Sequence, residues 1–196
     1  MCGRYYIDDD DTVEELRAIV MEVQRKLDEQ NNGETVKTGE VFPTDVVPVI
    51  ANNKHLVPTP FAMKWGYSLP DGKLIINARS ETAAEKPLFR DGMMNRRCLI
   101  PATNYFEWEK RGKEKVKYAI RPSGRTMLYM AGIYRIEKGR AVFSILTREP
   151  TEQIAFIHDR MPVILPDAAK AVWLDPRNSA DELLRAASLD VVYATA

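Results

Sequence analysis

Apolar residues recur at helical spacing near the start of the chain, at Val13, Leu16, Ile19, Val20, Val23 and Leu27. Such a stripe covers one helix face, so residues 13–29 are predicted to be helical. Thr12 and Glu15 stand at capping-box spacing, and the acidic run from Asp8 to Asp11 suits a helix N-terminus. The polar stretch 30–34, Gln-Asn-Asn-Gly-Glu, ends the pattern. Short apolar runs follow at 46–50, 56–57, 74–77, 99–102, 105–108, 116–120, 127–134, 141–147, 161–165 and 191–193. Their β-branched and aromatic content predicts strands. Pro43, Pro48, Pro58 and Pro60 confine the early ones to edges or irregular strands.

Turns at Pro70-Asp71-Gly72, Arg111-Gly112, Ser123-Gly124 and Lys138-Gly139 punctuate this meander, as expected of an antiparallel sheet. Further helical signals are a short piece at 80–85 capped by Ser80, a turn at 151–156, and helices at 166–174 and 179–187. The order is helix, many strands, helices. It implies an α+β fold in one domain, residues 1–196.

Composition narrows the class. A chain of 196 residues with 45% hydrophobic content can bury a proper core. No apolar run reaches membrane-spanning length, and residues 7–15 are acidic where a signal peptide would be apolar. A cytoplasmic protein with no membrane partner is expected. Two cysteines make no disulfide framework, and Cys98 in Cys98-Leu99-Ile100 reads as a small buried hydrophobe. The 28 basic residues are matched by 28 acidic ones, so charge alone argues mildly against a nucleic-acid partner. A few local Arg and Lys would still suffice for phosphates. Neither Cys-x-x-Cys, His-x-x-x-His nor a Gly-rich phosphate loop occurs, so no metal and no cofactor is implied.

The chemistry begins at Met1-Cys2-Gly3-Arg4-Tyr5. Cysteine is small enough for the initiator methionine to be removed before it. That would leave Cys2 with a free α-amine of pKa near ~8 beside a thiol near ~8.5. A 1,2-aminothiol can condense with an aldehyde through nitrogen and close through sulfur to a thiazolidine, which an internal cysteine cannot do. Three further words carry chemistry: Ile76-Asn77-Ala78-Arg79-Ser80-Glu81-Thr82, Asn104-Tyr105-Phe106-Glu107-Trp108 and Ile157-His158-Asp159-Arg160-Met161-Pro162. In a strand Phe106 and Trp108 would share one face and Glu107 take the other. A carboxyl set between aromatics suits general acid/base work. His158, one of two histidines, can move protons in either direction near neutral pH, whereas His55 lies in a polar loop and reads as incidental. Asn77 offers a neutral donor and acceptor.

Together these four ordered words resemble the SRAP family (SOS response-associated peptidase), from Cys2 to about Leu174. The resemblance implies a strongly bent, mostly antiparallel, barrel-like sheet with helices outside. It implies that Cys2 captures abasic sites in single-stranded DNA as a covalent thiazolidine, with Asn77, Glu107 and His158 as the other catalytic residues. It further implies that Arg4, Arg79 and Arg160 hold phosphates, with Thr147 and Pro43 nearby. The local word Glu40-Val41-Phe42-Pro43-Thr44 departs from the commoner Tyr-Asn-x-Ala-Pro form. Trp65 and Phe89 are candidates to stack on bases, with core packing as the alternative for each. A monomer acting at the bacterial nucleoid is expected. Two rival readings stay open: a cysteine peptidase or N-terminal-nucleophile hydrolase using Cys2, and a non-covalent binder of single-stranded DNA.

Overall fold

The structure is a computed structural model and describes residues 2–8, 13–31, 33–186 and 190–196. Its strands are β1 (Arg4–Ile7), β2 (Gly39–Val41), β3 (Val46–Asn52), β4 (Pro58–Trp65), β5 (Tyr67–Ser68), β6 (Leu74–Ile75) and β7 (Asn77–Arg79). They continue as β8 (Arg97–Ala102), β9 (Asn104–Arg111), β10 (Glu114–Pro122), β11 (Leu128–Glu137), β12 (Arg140–Arg148), β13 (Met161–Pro162) and β14 (Val191–Thr195). The helices are α1 (Glu14–Glu29), α2 (Pro87–Asn95), α3 (Asp167–Leu174) and α4 (Ala180–Ala186), with a 3-10 turn at Glu152–Ile154. The α+β class and the bent, mostly antiparallel, barrel-like sheet expected from the sequence are present.

Two sheets do the organising. Strands β11, β8, β3, β4 and β12 are hydrogen-bonded in that order, and β12 pairs back to β11, which closes a small barrel. A second sheet runs β14-β10-β9-β1-β2. The barrel has a feature that the meander reading missed: β12 pairs in parallel with the end of β4 and with β7. Gly132 lets the barrel close. A Cβ there would lie 2.4 Å from Ile100 Cδ1 and 3.1 Å from both Cys98 Sγ and the Ser144 carbonyl. Cys98 is wholly buried beside it, as its apolar run predicts.

Helix α1 buries Leu16, Ile19, Val23 and Leu27, four of the six stripe positions. Lys26 anchors it to β4 by donating to the Pro60 carbonyl at 2.8 Å. The helix begins at Glu14 with Val13 as its N-cap residue, and the predicted cap Thr12 lies outside the described residues. Pro58 and Pro60 fall on the part of β4 that pairs only with β3, where a missing N–H is tolerated.

Three expectations are corrected. Residues 56–57 form no strand: Leu56 turns the chain with φ 58°, and both side chains are about half exposed. Residues 80–85 form turns, and the Ser80 N–H is taken by the Thr147 carbonyl at 2.9 Å. The helix begins only at Pro87, which occupies its first turn. The strand expected over 161–165 is paired as a ladder only at Met161–Pro162, with one isolated bridge from Ile164 to Met130. Among the described residues no helix is long and apolar enough to cross a membrane.

Candidate active site at the junction of the two sheets

Cys2 precedes β1 in the second sheet, and Asn77 begins β7, the strand laid along the barrel through β12. The two meet. Asn77 Nδ2 donates to the Cys2 carbonyl at 2.9 Å, so one amide bridges the sheets and fixes the start of the chain. The other end of that amide, Asn77 Oδ1, is buried with no hydrogen-bond partner among the described residues. The step before it is pinned too: Trp65 Nε1 donates to the Ile76 carbonyl at 3.0 Å.

Cys2 is wholly buried, and its thiol donates a long hydrogen bond of 3.8 Å to the Arg4 carbonyl. Burial first, then the nearby Glu107 charge, pushes the thiol well above its ordinary range. At neutral pH it is a thiol and not a thiolate. Glu107 is 3% exposed, and β9 sends it to the face opposite Phe106 and Trp108, as strand alternation requires. The outer pair is marked by Lys117, whose ammonium lies 3.9 Å from the Phe106 ring centre and 5.8 Å from that of Trp108.

A cleft of about 640 Å³ opens beside this junction, and Asn77, Arg79, Thr147, His158 and Arg160 are among the residues that line it. Arg79 is exposed there. Arg160 is committed internally. Its Nη1 and Nη2 take Glu81 Oε1 and Oε2 at 2.9 and 2.8 Å, and Nη2 also donates to the Thr147 carbonyl at 2.6 Å. His158 Nδ1 faces two partners: the Arg160 backbone N–H at 3.1 Å and Asp159 Oδ1 at 2.7 Å. A bare Nδ1 accepts from the first, and a protonated one donates to the second, so the imidazole has a partner in either state.

The structure places other expected residues elsewhere. Trp65 is corrected from a stacking surface to a core residue: it is 0% exposed, tilted against Tyr5 at 5.1 Å and stacked on Phe143 at 6.3 Å. Phe89 packs in the core from α2, although it borders the cleft. Thr147 is 2% exposed, and its hydroxyl lies 3.4 Å from both the Ala78 carbonyl and Arg160 Nη2. Arg4 does not line the cleft. It lies 3.8 Å over Phe42 and 5.6 Å from Trp108, and Glu40 accepts from both Arg4 and Lys117, at 3.0 and 2.9 Å. Pro43 turns the chain beside Phe42, and Thr44 follows at φ 81°, held by its N–H to the Trp65 carbonyl at 2.9 Å.

Sequence reading missed Lys117, Glu40 and Phe42 as members of this second cluster. Only the register of β9 with β10, which sets Lys117 opposite Trp108, exposes the cation. The hydrogen bond from Lys117, then that from Arg4, holds the Glu40 carboxyl below its usual range. Among the described residues no group of three or more His, Cys, Asp or Glu side chains is placed to hold a metal ion.

Comparison with known proteins gives this geometry a family. The chain is 33% identical over 202 residues to the abasic site processing protein YoqW of Bacillus subtilis, covering 94% of this chain and 85% of the relative. It is 30% identical over 190 residues to the abasic site processing protein YedK of Escherichia coli, covering 93% and 83%. A crystal structure of a protein from Bacteroides thetaiotaomicron shares the fold with a TM-score of 0.78 at 23% identity, over 99% of this chain and 91% of that one. The model of the SOS response associated peptidase (SRAP) family matches residues 1–194, and the chain belongs to that family.

Proposed function

We propose that this protein captures abasic sites in single-stranded DNA as a covalent thiazolidine on Cys2, after Met1 is removed. The observation that carries the reading is the Asn77 bridge. Its Nδ2 fixes the Cys2 carbonyl, and its unpartnered Oδ1 is an acceptor beside the very residue that would bear the free amine. The names of the relatives, abasic site processing proteins, support the substrate.

The chemistry balances without a cofactor. The Cys2 amine attacks C1′ of the opened sugar aldehyde, water leaves, and an imine forms. Sulfur then adds to the imine carbon, the π pair goes to nitrogen, and the thiol proton ends there. The net loss is one water. A thiol held protonated by burial fits this order, with nitrogen first and sulfur second, better than it fits thiolate attack on a peptide. Glu107, buried and close enough for its charge to act on the thiol, serves as the proton acceptor and donor for both steps. His158 relays protons at the cleft by exchanging its Arg160 and Asp159 contacts. Arg79 meets a flanking phosphate, and Arg160 does so when it leaves Glu81. Arg4 and Lys117, braced by Glu40, provide a second basic and aromatic track on the outer face of the sheet. A single strand suits the site because an abasic sugar must be splayed out of the stack to enter a cleft.

Intact mass after mixing Met1-processed protein with single-stranded DNA carrying one abasic site tests this. A heat-stable adduct at protein plus DNA minus one water, absent in Cys2→Ala, is the expected result. Cys2-dependent turnover of a peptide, or reversible salt-sensitive binding without an adduct, would replace the reading with the hydrolase or the simple binder.

A further inference from the structure

Two hydroxyls in the same buried core as Cys2 are left idle by the scheme above. Tyr5 and Tyr105 stand directly opposite each other in the β1–β9 register, and both are 0% exposed. Neither hydroxyl has a hydrogen-bond partner among the described residues. A buried donor left unmade is unfavourable, and native interiors rarely contain two side by side. Phenylalanine would fill the same space without that penalty.

Their position says what they face. Tyr105 precedes Glu107 by two residues on β9, so both side chains leave the same face of the strand. The Tyr5 ring leans on Trp65, whose indole holds Ile76, the residue before the Asn77 that grips Cys2. Both phenols are raised well above their ordinary range, by burial first and by the Cys2 charge next. They therefore keep their protons and remain donors, within electrostatic reach of the sulfur.

We propose that the Tyr5 and Tyr105 hydroxyls are a thiolate-stabilising pair that donates to Cys2 sulfur as it closes the ring. This rests on the reading above. In the closing step the sulfur–hydrogen bond breaks toward Glu107, and the sulfur lone pair forms the bond to the imine carbon. The carbon–nitrogen π pair returns to nitrogen, which takes that proton from Glu107. Negative charge passes through sulfur in a site that otherwise opposes it. Two phenol donors would lower that cost at the one moment it arises. They would leave the first step, attack by nitrogen, untouched.

The test separates the two steps in Met1-processed protein carrying Tyr5→Phe, Tyr105→Phe or both. Two aldehydes are used: the abasic oligonucleotide, and formaldehyde as a probe independent of DNA. Ring closure is followed by intact mass, and the open imine is trapped with cyanoborohydride. Loss of one hydrogen bond to a charged sulfur should slow closure roughly tenfold or more per substitution. Imine formation should keep its rate, trapped imine should accumulate, and melting temperature should hold or rise because an unmade donor has been removed. Unchanged closure in the double variant overturns the proposal. So does a fall in melting temperature in both single variants, which would show that the hydroxyls have structural partners. If the wild type forms no DNA adduct, the abasic-site reading fails, while the formaldehyde arm still decides the role of the hydroxyls.

Discussion

Arg160 clasps Glu81 with both arms of its guanidinium, Nη1 to Oε1 at 2.9 Å and Nη2 to Oε2 at 2.8 Å. A carboxylate held in this fork occupies the geometry that a phosphate would use. The Arg160 hydrogen bond holds the Glu81 carboxyl below its usual range, so the competitor stays ionised at neutral pH and well into mild acid. Glu81→Gln should therefore tighten single-stranded DNA binding severalfold at low salt. It should steepen the salt dependence by about 0.7 in log K against log salt, the increment for one more neutralised phosphate. Fluorescence anisotropy over a salt series reads both numbers. Equal slopes would mean that Arg160 never reaches the backbone.

The Asn77 bridge predicts a graded loss. Asn77→Ala removes the donor to the Cys2 carbonyl and the nearby acceptor together; Asn77→Asp keeps an acceptor but sets a carboxylate against that carbonyl. If orientation of the chain start is what matters, both should slow cross-linking by about ten- to a hundredfold, since small misplacements of reacting groups are costly. Stability should fall by only about 1 kcal/mol in the alanine variant. Quench-flow or timed gel assays of adduct formation, beside urea denaturation, separate the two effects. An aspartate variant that retained full speed would assign the work to the acceptor alone.

The four words that carry the family resemblance were legible in the sequence because each is a short run of adjacent residues. Helix α1 was legible for the same reason, its buried face being a regular stripe at Leu16, Ile19, Val23 and Leu27. Helix α2 was not. Its Gly92 looks like a breaker, but a Cβ there would come within 2.9 Å of Ile133 Cβ, so a distant strand sets the residue. The parallel pairing of β7 with β12 joins residues 77–79 to 145–147, and nothing in either segment announces the other. Trp65 stayed open between base stacking and core packing because the neighbours that bury it, Tyr5 and Phe143, lie far off in the chain.

Placement of Trp65 in the core has its own consequence. Trp65→Ala should destabilise the fold by about 3–5 kcal/mol, the usual cost of emptying a large aromatic site. It also orphans the Ile76 carbonyl. Trp65→Phe should fold and bind an undamaged single strand close to wild-type strength, because no base touches the ring. Chemical denaturation with anisotropy tests this pair. A strong binding loss in a stable phenylalanine variant would restore Trp65 to the DNA surface.

Buried thiols make the protein sensitive to alkali. Burial raises both Cys2 and Cys98 above the ordinary value near ~8.5, with the Glu107 charge adding to the effect at Cys2. Below that value both the folded and unfolded chains hold the protons, and the stability contribution is fully present. Above it the unfolded chain ionises and the folded chain does not, so unfolding is favoured increasingly as pH rises toward the folded-state values. Each thiol should then remove about 1.4 kcal/mol of stability per pH unit. Most of the tyrosine phenols with raised values join only above about pH 10. Urea denaturation between pH 7.5 and 10 should show a flat region and then a decline that begins near ~8.5. Cys98→Ala should start lower at pH 7.5, because it removes a wholly buried side chain beside Gly132, yet decline less steeply. Cys2→Ala should also flatten the decline. Parallel slopes in wild type and both variants would show that the thiols ionise freely in the folded chain, which would remove the basis for placing sulfur second in the reaction.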